Sequence, residues 1–282
     1  MQTVNRIDPL RDAVAALRRD GSVALVPTMG ALHKGHLTLV REARAQAAHV
    51  VVSIFVNPRQ FGAGEDLDAY PRQLAADSAL LEAEGVSLLW APEAAAMYPP
   101  GYATNVSVGG VSEGLCGANR PGHFDGVATV VCKLFNQVRP DLALFGEKDW
   151  QQLAVIRRMA RDLDLVRPHV DRIIGVPTVR EADGLAMSSR NAYLTPTERA
   201  AAAALPHAMR GAIAAIGQGD DVAATLAGLE RELLDAGFGS VDYARLCDAD
   251  SLAPLAARGT GPARLLVAAR IGKARLIDNM AA

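Results

Sequence analysis

Two histidines, His33 and His36, are the side chains of this 282-residue sequence whose types and spacing point most clearly to chemistry. They end the segment PTMGALHKGH, with Gly35 between them. The apolar run at 22–26 indicates a buried strand, and the periodicity of 37–48 predicts a helix. The histidines thus lie where a strand turns into a helix, and unpaired N–H groups and the helix dipole favour phosphate there. We expect both imidazoles to donate to a triphosphate and Gly35 to let the backbone approach it closely.

A metal site, and a core histidine with a chance neighbour, are the alternative interpretations of this pair. A metal site needs a third and a fourth ligand, and no nearby cluster of His, Cys, Asp or Glu in the sequence supplies them. The strand before the pair and the helix after it favour phosphate binding instead. This is the arrangement that an enzyme transferring a nucleotidyl group needs.

Two further segments carry groups that could meet phosphate. Lys148 lies in FGEKDWQQ, just after an apolar run, and ligands bind at the carboxyl ends of strands in open α/β sheets. Ser188, Ser189 and Arg190 follow Gly184 in a polar loop, where they could donate to phosphate oxygens and neutralise their charge. A solvated turn and a polar interdomain hinge are the alternative interpretations of these two segments.

The segment SIFVNPRQFG offers neutral amides at the end of another apolar run. Asn57 and Gln60, beside an aromatic side chain, would suit a small hydroxy acid. A plain turn explains Pro58 and Gly62 equally well. The segment is therefore a candidate binding site for such an acid.

Strand-like and helix-like segments alternate through the first 175 residues and must position these groups. The predicted strands cover 22–26, 50–56, 86–90, 142–145 and 173–176, and the predicted helices cover 37–48, 71–84, 125–137 and 151–163, after an N-terminal helix opening at Asp8 and Pro9. Such alternation requires crossover connections and predicts a Rossmann-like, doubly wound parallel α/β sheet.

After Arg190 the pattern changes from alternation to helices followed by strands. The capping box from Thr195 to Glu198 predicts a helix start, a second helix covers 222–235, and strand-like pieces follow at 241–246 and 264–276. We therefore predict two domains. Residues 1–175 form a domain that binds the nucleotide and the acid substrate. Residues 176–282 form a smaller α+β C-terminal domain that closes over the active site.

Composition excludes several classes of protein. The net charge is −2 and the basic residues are scattered, which predicts neither a nucleic-acid partner nor an anionic membrane. Three distant cysteines without a CxxC motif fit a reducing compartment and neither a disulfide framework nor a zinc site. The N-terminus lacks the apolar core of a signal peptide, and the run at 50–56 is too short to span a bilayer. We expect a cytoplasmic protein.

Six motifs, taken together and in their order, resemble the pantothenate synthetase (pantoate–β-alanine ligase) family. They are PTMGALHKGH, SIFVNPRQFG, DLDAYPR, RPGHFDGVATVV, LFGEKDWQQL and GVPTVREADGLAMSSRN, followed by a weaker likeness in LLVAARIGKARLIDN. The family belongs to the nucleotidyltransferases with an HxGH signature. The resemblance implies that the carboxylate of (R)-pantoate attacks the α-phosphorus of Mg-ATP, giving pantoyl adenylate and pyrophosphate. The amine of β-alanine then displaces AMP to give pantothenate, a step of vitamin B5 and coenzyme A biosynthesis.

The resemblance also implies roles for individual residues. The catalytic positions, which contact phosphate, are His33, His36, Lys148, Ser188, Ser189 and Arg190. Further ATP-binding positions are Met29, Gly30, Gly35, Gly146, Asp149, Val176 and Met187. The pantoate-binding positions are Pro27, Thr28, Met29, Gln60 and Gln152. Asp77 matches an acidic residue near the metal, and Mg²⁺ would bridge phosphate oxygens with few protein ligands.

Departures from the family pattern and two alternative functions complete the sequence-based interpretation. Trp150, Arg59 and Ala76 depart from the residues that are common in the family, and Ala76 puts a second carboxylate near the metal in doubt. Another HxGH nucleotidyltransferase would call for extra basic groups around the second pocket, where Gln60 and Gln152 are neutral. A non-catalytic nucleotide-binding module would be expected to have lost one of the phosphate-contacting residues. The resemblance also implies a homodimer.

Overall fold

The computed structural model describes residues 1–62 and 64–282, and its first half is built on a six-stranded parallel sheet. The strands are β1 (Gln2–Val4), β2 (Val23–Thr28), β3 (His49–Ile54), β4 (Leu88–Trp90), β5 (Leu142–Gly146) and β6 (Ile173–Val176). The inner strands are apolar on both faces, as a sheet covered by helices on both sides requires.

Helices cover both faces of this sheet. They are α1 (Ile7–Asp20), α2 (Lys34–Gln46), α3 (Leu74–Ala83), α4 (Ala94–Met97), α5 (Cys116–Asn119), α6 (His123–Val138) and α7 (Trp150–Asp162). Alternate residues of the strands point to opposite faces. Val23 and Leu25 pack with α1, α6 and α7, whereas Ala24 and Val26 pack with α2 and α3. The prediction of a doubly wound α/β fold is confirmed.

The order of the strands, β1-β4-β3-β2-β5-β6, decides where a ligand can bind. From β2 the chain builds outward through β3 to β4, then returns to the other side of β2 for β5 and β6. The order therefore reverses between β2 and β5, and a crevice opens there at the carboxyl ends of the strands. The HxGH segment follows β2 and Lys148 follows β5, so the topology brings them to this crevice.

The C-terminal part has its own hydrophobic core under an antiparallel sheet. Its elements are α8 (Pro196–Ala202), α9 (Ala204–Gly217), α10 (Val222–Asp235), β7 (Ser240–Asp248), β8 (Ala263–Ile271) and β9 (Ala274–Ala281). Thr195 and Glu198 form the predicted capping box at the start of α8. The α+β prediction is confirmed, although the strand expected over 264–276 is a hairpin that turns at Gly272, where φ is +53°.

Several element bounds differ from the sequence prediction: for example, β3 ends at Ile54 instead of 56, and α3 begins at Leu74 instead of 71. Strand β1 was not predicted, because three residues at the start of a chain are too few to show a period; it pairs in parallel with β4 at the sheet edge. Helix α2 begins at Lys34, three residues before the predicted start, because the histidines themselves cap it. Among the described residues, no helix is both long and apolar enough to cross a membrane.

Candidate active site

The two histidines form a capping box at the start of α2. His33 is the N-cap residue, and its Nδ1 atom accepts a hydrogen bond from the backbone N–H of Gly35 at 3.2 Å. Nδ1 of His36 accepts from the backbone N–H of His33 at 3.3 Å. Imidazoles thus take the places that Ser or Thr and Glu usually fill. A side chain on Gly35 would come within 2.9 Å of the His33 ring, so this glycine makes room for the ring, whereas the sequence suggested room for phosphate.

The capping bonds determine where each imidazole carries its proton. Because Nδ1 accepts in both rings, a neutral ring carries its hydrogen on Nε2. Burial lowers the pKa of His36 to about 3, with a contribution from His33. Burial and the charge of Lys148 lower the pKa of His33. Both rings line the cleft and are neutral near pH 7, so each can offer one Nε2–H donor to an anion.

The turn between β2 and α2 is held by the carboxylate of Asp77. Gly30 and Ala31 both have a left-handed backbone, with φ of +83° and +50°. This conformation turns successive N–H groups toward one point. The N–H groups of Ala31 and Leu32 each donate to an oxygen of Asp77 at 2.9 Å. An internal carboxylate therefore occupies a backbone site that could otherwise hold an anion.

The geometry of Asp77 bears on the expectation that this residue lies beside the metal. Its side chain is buried, it does not line the cleft, and both oxygens are engaged by the backbone of the turn. Asp77 thus supports the HxGH turn from behind. Gly30 does not line the cleft either. Its left-handed backbone shapes the same turn, and its contact with ATP stays a prediction.

A cleft of about 230 Å³ lies where the strand order reverses, and basic and hydroxyl groups are part of its lining. Lys148 lies just past β5, and Ser188 to Arg190 approach from the segment that joins β6 to α8. Nε and Nη2 of Arg190 donate to the two oxygens of Asp66 at 3.0 and 2.9 Å. Burial opposes the charge of Arg190, but its bonds with Asp66 outweigh burial and raise the guanidinium pKa.

The lining of the cleft also includes amides and an apolar surface. The carboxamide of Gln60 is held by Asn57, whose Nδ2 lies 3.1 Å from Gln60 Oε1, and its Nε2 points to the sulfur of Met29. Asn57 itself is buried and does not line the cleft. The apolar lining comes from strand ends and from one face of α6: Leu39, Phe55, Val127, Val130, Val131, Leu134 and Phe145.

The structure brings nearly all of the predicted site residues to this one cleft. Those that line it are Pro27, Thr28, Met29, His33, Gly35, His36, Gln60, Gly146, Lys148, Asp149, Gln152, Val176, Met187, Ser188, Ser189 and Arg190. Sequence reasoning missed Tyr70, the stretch 177–179 and the face of α6. The period of α6 was visible, but an apolar face that lines a cleft has the same pattern as one that fills a core.

Within residues 1–62 and 64–282, no group of three or more His, Cys, Asp or Glu side chains could hold an ion. The capping bonds occupy the Nδ1 atoms of both histidines. Both oxygens of Asp77 accept hydrogen bonds from the backbone of the turn.

Known proteins resemble this chain along its whole length. The family model described as pantoate-beta-alanine ligase matches residues 2–281. The chain belongs to the pantoate–β-alanine ligase family. A pantothenate synthetase of Novosphingobium aromaticivorans is 73% identical over 281 residues, 99% of this chain and 98% of that protein.

Solved structures of pantoate–β-alanine ligases share the fold of this chain. The pantothenate synthetase of Thermus thermophilus has a TM-score of 0.92 at 50% identity, with 99% of each chain covered. The Francisella tularensis ligase, complexed with beta-gamma ATP and beta-alanine, has a TM-score of 0.84 at 33% identity and covers 100% of this chain and 97% of its own. The chain is thus an ATP-dependent ligase that joins pantoate and β-alanine through a C–N bond, as its motifs predict.

Proposed function

We propose that the enzyme activates pantoate as an acyl adenylate in this cleft, with ATP phosphates against the histidines, Lys148 and the Ser188–Arg190 segment. One observation carries the proposal: cationic and N–H donors, amides and an apolar surface all line a single cleft. The apolar lining suits the hydrocarbon part of pantoate, and Gln60 and Gln152 suit its hydroxyl groups.

The first step moves charge onto the phosphates. A carboxylate oxygen of pantoate attacks the α-phosphorus, the bond to the bridging oxygen breaks, and pyrophosphate leaves. Negative charge grows on the oxygens around phosphorus and on the leaving group, so pre-positioned donors lower the barrier more than acid–base groups would. The neutral Nε2–H groups of His33 and His36, the Lys148 ammonium and the Arg190 guanidinium are donors of this kind.

The second step uses the activated acyl group. The amine of β-alanine attacks the carbonyl carbon of the mixed anhydride, the C–O bond to AMP breaks, and the amine loses a proton as the amide forms. AMP is a good leaving group, so this step needs little help from an acid or a base. Mg²⁺ bound to the substrate ATP would neutralise phosphate charge, and we propose that it arrives with the nucleotide.

Isotope exchange between pyrophosphate and ATP tests the order of the steps. With purified enzyme and Mg²⁺, exchange should require pantoate but not β-alanine, because the adenylate forms first. His36→Ala and Lys148→Ala should each slow exchange ~10²-fold or more, as the loss of one charge-stabilising donor does. The exposed His169 provides the control variant, His169→Ala, which should exchange at the wild-type rate. Exchange without pantoate would overturn the two-step scheme, and unchanged exchange in either cleft variant would remove that residue from it.

We also propose two domains, a homodimer and a reducing, cytoplasmic location. The separate hydrophobic core of the C-terminal elements supports a division near 175, at the end of β6. The three free cysteines, two of them buried, are compatible with a reducing compartment.

The homodimer proposal rests on the family resemblance alone. Light scattering coupled to size exclusion should give twice the mass of one chain, and a monomer mass at micromolar concentration would contradict it.

A further inference from the structure

Asn279, near the end of the last strand, contacts the backbone that carries Lys148. Its side chain on β9 is almost fully buried, and Nδ2 donates to the carbonyl oxygens of Glu147 at 2.9 Å and Lys148 at 2.8 Å. These two carbonyls belong to the 3-10 turn Glu147–Asp149 that connects β5 to α7. One side chain from the C-terminal sheet therefore fixes the turn at the carboxyl end of a strand in the other sheet.

The orientation of this amide is itself determined. Oδ1 of Asn279 accepts a hydrogen bond from Nη1 of Arg264, so Nδ2 must face the two carbonyls. The guanidinium of Arg264 lies 3.5 Å from the centre of the Trp150 ring, and its Nη2 lies 3.5 Å from Oε2 of Glu147. A flipped amide would set its oxygen against two carbonyl oxygens and its N–H₂ against a guanidinium. The native arrangement is therefore the stable one.

The residue before Asn279 acts in the same way on the second phosphate-binding segment. Asp278 is buried, and its carboxylate accepts from Nη1 and Nη2 of Arg180 at 2.7 and 2.9 Å. Nη1 of Arg180 also donates to the carbonyl oxygen of Gly184 at 2.9 Å. This pair holds the start of the loop that leads to Ser188. Two consecutive residues of β9 thus contact both loops that bring phosphate donors to the cleft.

We propose that Asn279 is a positioning residue for Lys148, and that β9, through Asn279 and Asp278, sets the separation between Lys148 and the Ser188–Arg190 segment. The inference rests on the proposed contact of Lys148 with ATP phosphates. An ångström of misplacement in a pre-organised site can cost ~10²-fold in rate. A buried amide with two backbone acceptors suits this task, because it restrains the turn without competing for the ligand.

Kinetics of Asn279→Ala and Asn279→Asp test the positioning role. The Asp variant keeps the volume and loses both donors. We expect pantoate-dependent pyrophosphate–ATP exchange to fall ~10-fold or more in rate at saturating substrates, with the KM for pantoate within about two-fold. In a Lys148→Ala background, adding Asn279→Ala should change the rate by less than about two-fold, because the group being positioned is already absent. If Asn279→Ala lowered the rate by the same factor in the Lys148→Ala background as in the wild type, the proposal would be overturned.

Hydrogen exchange gives a readout that does not depend on activity. Peptides covering 146–152 should exchange faster in both Asn279 variants than in the wild type. Met280→Ala is the matched control, because its side chain alternates to the other face of β9 and packs in the C-terminal core. It should leave the exchange of this turn unchanged. Unchanged exchange in the Asn279 variants would overturn the positioning role. Faster exchange together with a fully active Lys148→Ala enzyme would instead refute the proposed role of Lys148.

Discussion

At the scale of single residues, the HxGH segment shows how side chains can serve structure and chemistry at once. Each imidazole uses Nδ1 to cap α2 and keeps Nε2 free for the cleft. The residue types were sufficient to suggest donors to phosphate. The same types could not show that Asp77, more than forty residues away, holds the turn from behind, because nothing local in the sequence pairs a carboxylate with two distant N–H groups.

The placement of Asp77 leads to a prediction about magnesium. Asp77→Asn should leave one of the N–H groups of Ala31 and Leu32 facing an amide N–H₂, and should lower the free energy of unfolding by ~2 kcal/mol. Pantoate-dependent exchange should fall as well, because the histidine turn shifts. The Mg²⁺ concentration for half-maximal exchange should stay within about two-fold of the wild-type value. A large increase in this concentration would show that Asp77 is a metal ligand. Glu82→Gln, on an exposed face of α3, is the control.

At the scale of elements, the helices and strands follow from sequence periodicity, but the distances between them do not. The structure gives α10 the predicted bounds, Val222–Asp235, because an Asp cap precedes a regular apolar stripe. Helix α6 was also predicted, but not its contact with the turn that carries Gln60. A side chain at Gly126 would come within 2.2 Å of the carbonyl oxygen of Arg59, so the helix and the turn touch through backbone atoms.

This close approach predicts a selective defect in substrate binding. Gly126→Ala should push α6 away from the turn, displace Gln60 and raise the KM for pantoate ~10-fold, while the KM for ATP changes little. The overpacking should also cost ~1–3 kcal/mol of stability. Gly228→Ala in α10 is the matched control, since open space surrounds that position, and it should stabilise the protein by ~0.5–1 kcal/mol. Equal increases in both KM values would show that the contact does not specifically serve pantoate.

At the scale of the whole molecule, buried neutral histidines connect the site to global stability. Burial lowers the pKa of His36 to about 3 and that of His123 to about 4. His123 lies under the Gln60 turn, with Nδ1 2.8 Å from the carbonyl oxygen of Gln60. The unfolded chain titrates these groups near 6.5, so below that pH it binds protons that the native state excludes. The native state therefore loses stability as the pH falls from about 6.5 toward these low values.

The size of this effect can be measured by denaturant unfolding. Between pH 7.5 and 5.5 each of the two histidines should remove ~1 kcal/mol of stability, because the unfolded imidazole becomes protonated and the native one does not. His36→Gln should remove about half of the pH-dependent loss of stability that His36 and His123 contribute together. His169→Gln, which removes an exposed imidazole, controls for the loss of a histidine as such. An identical pH dependence in His36→Gln and the wild type would contradict a neutral, buried His36.

The sequence by itself determined the alternation of elements, the doubly wound sheet, the family and the residue types of the site, because each of these depends on local periodicity or on a contiguous motif. Only the tertiary structure decided which groups meet. Asp77 turns to the backbone of Ala31 and Leu32, and Asn279 reaches back 131 residues to the carbonyl of Lys148. Such contacts depend on how layers pack and where the strand order reverses, and packing between distant segments leaves no periodic trace in the chain.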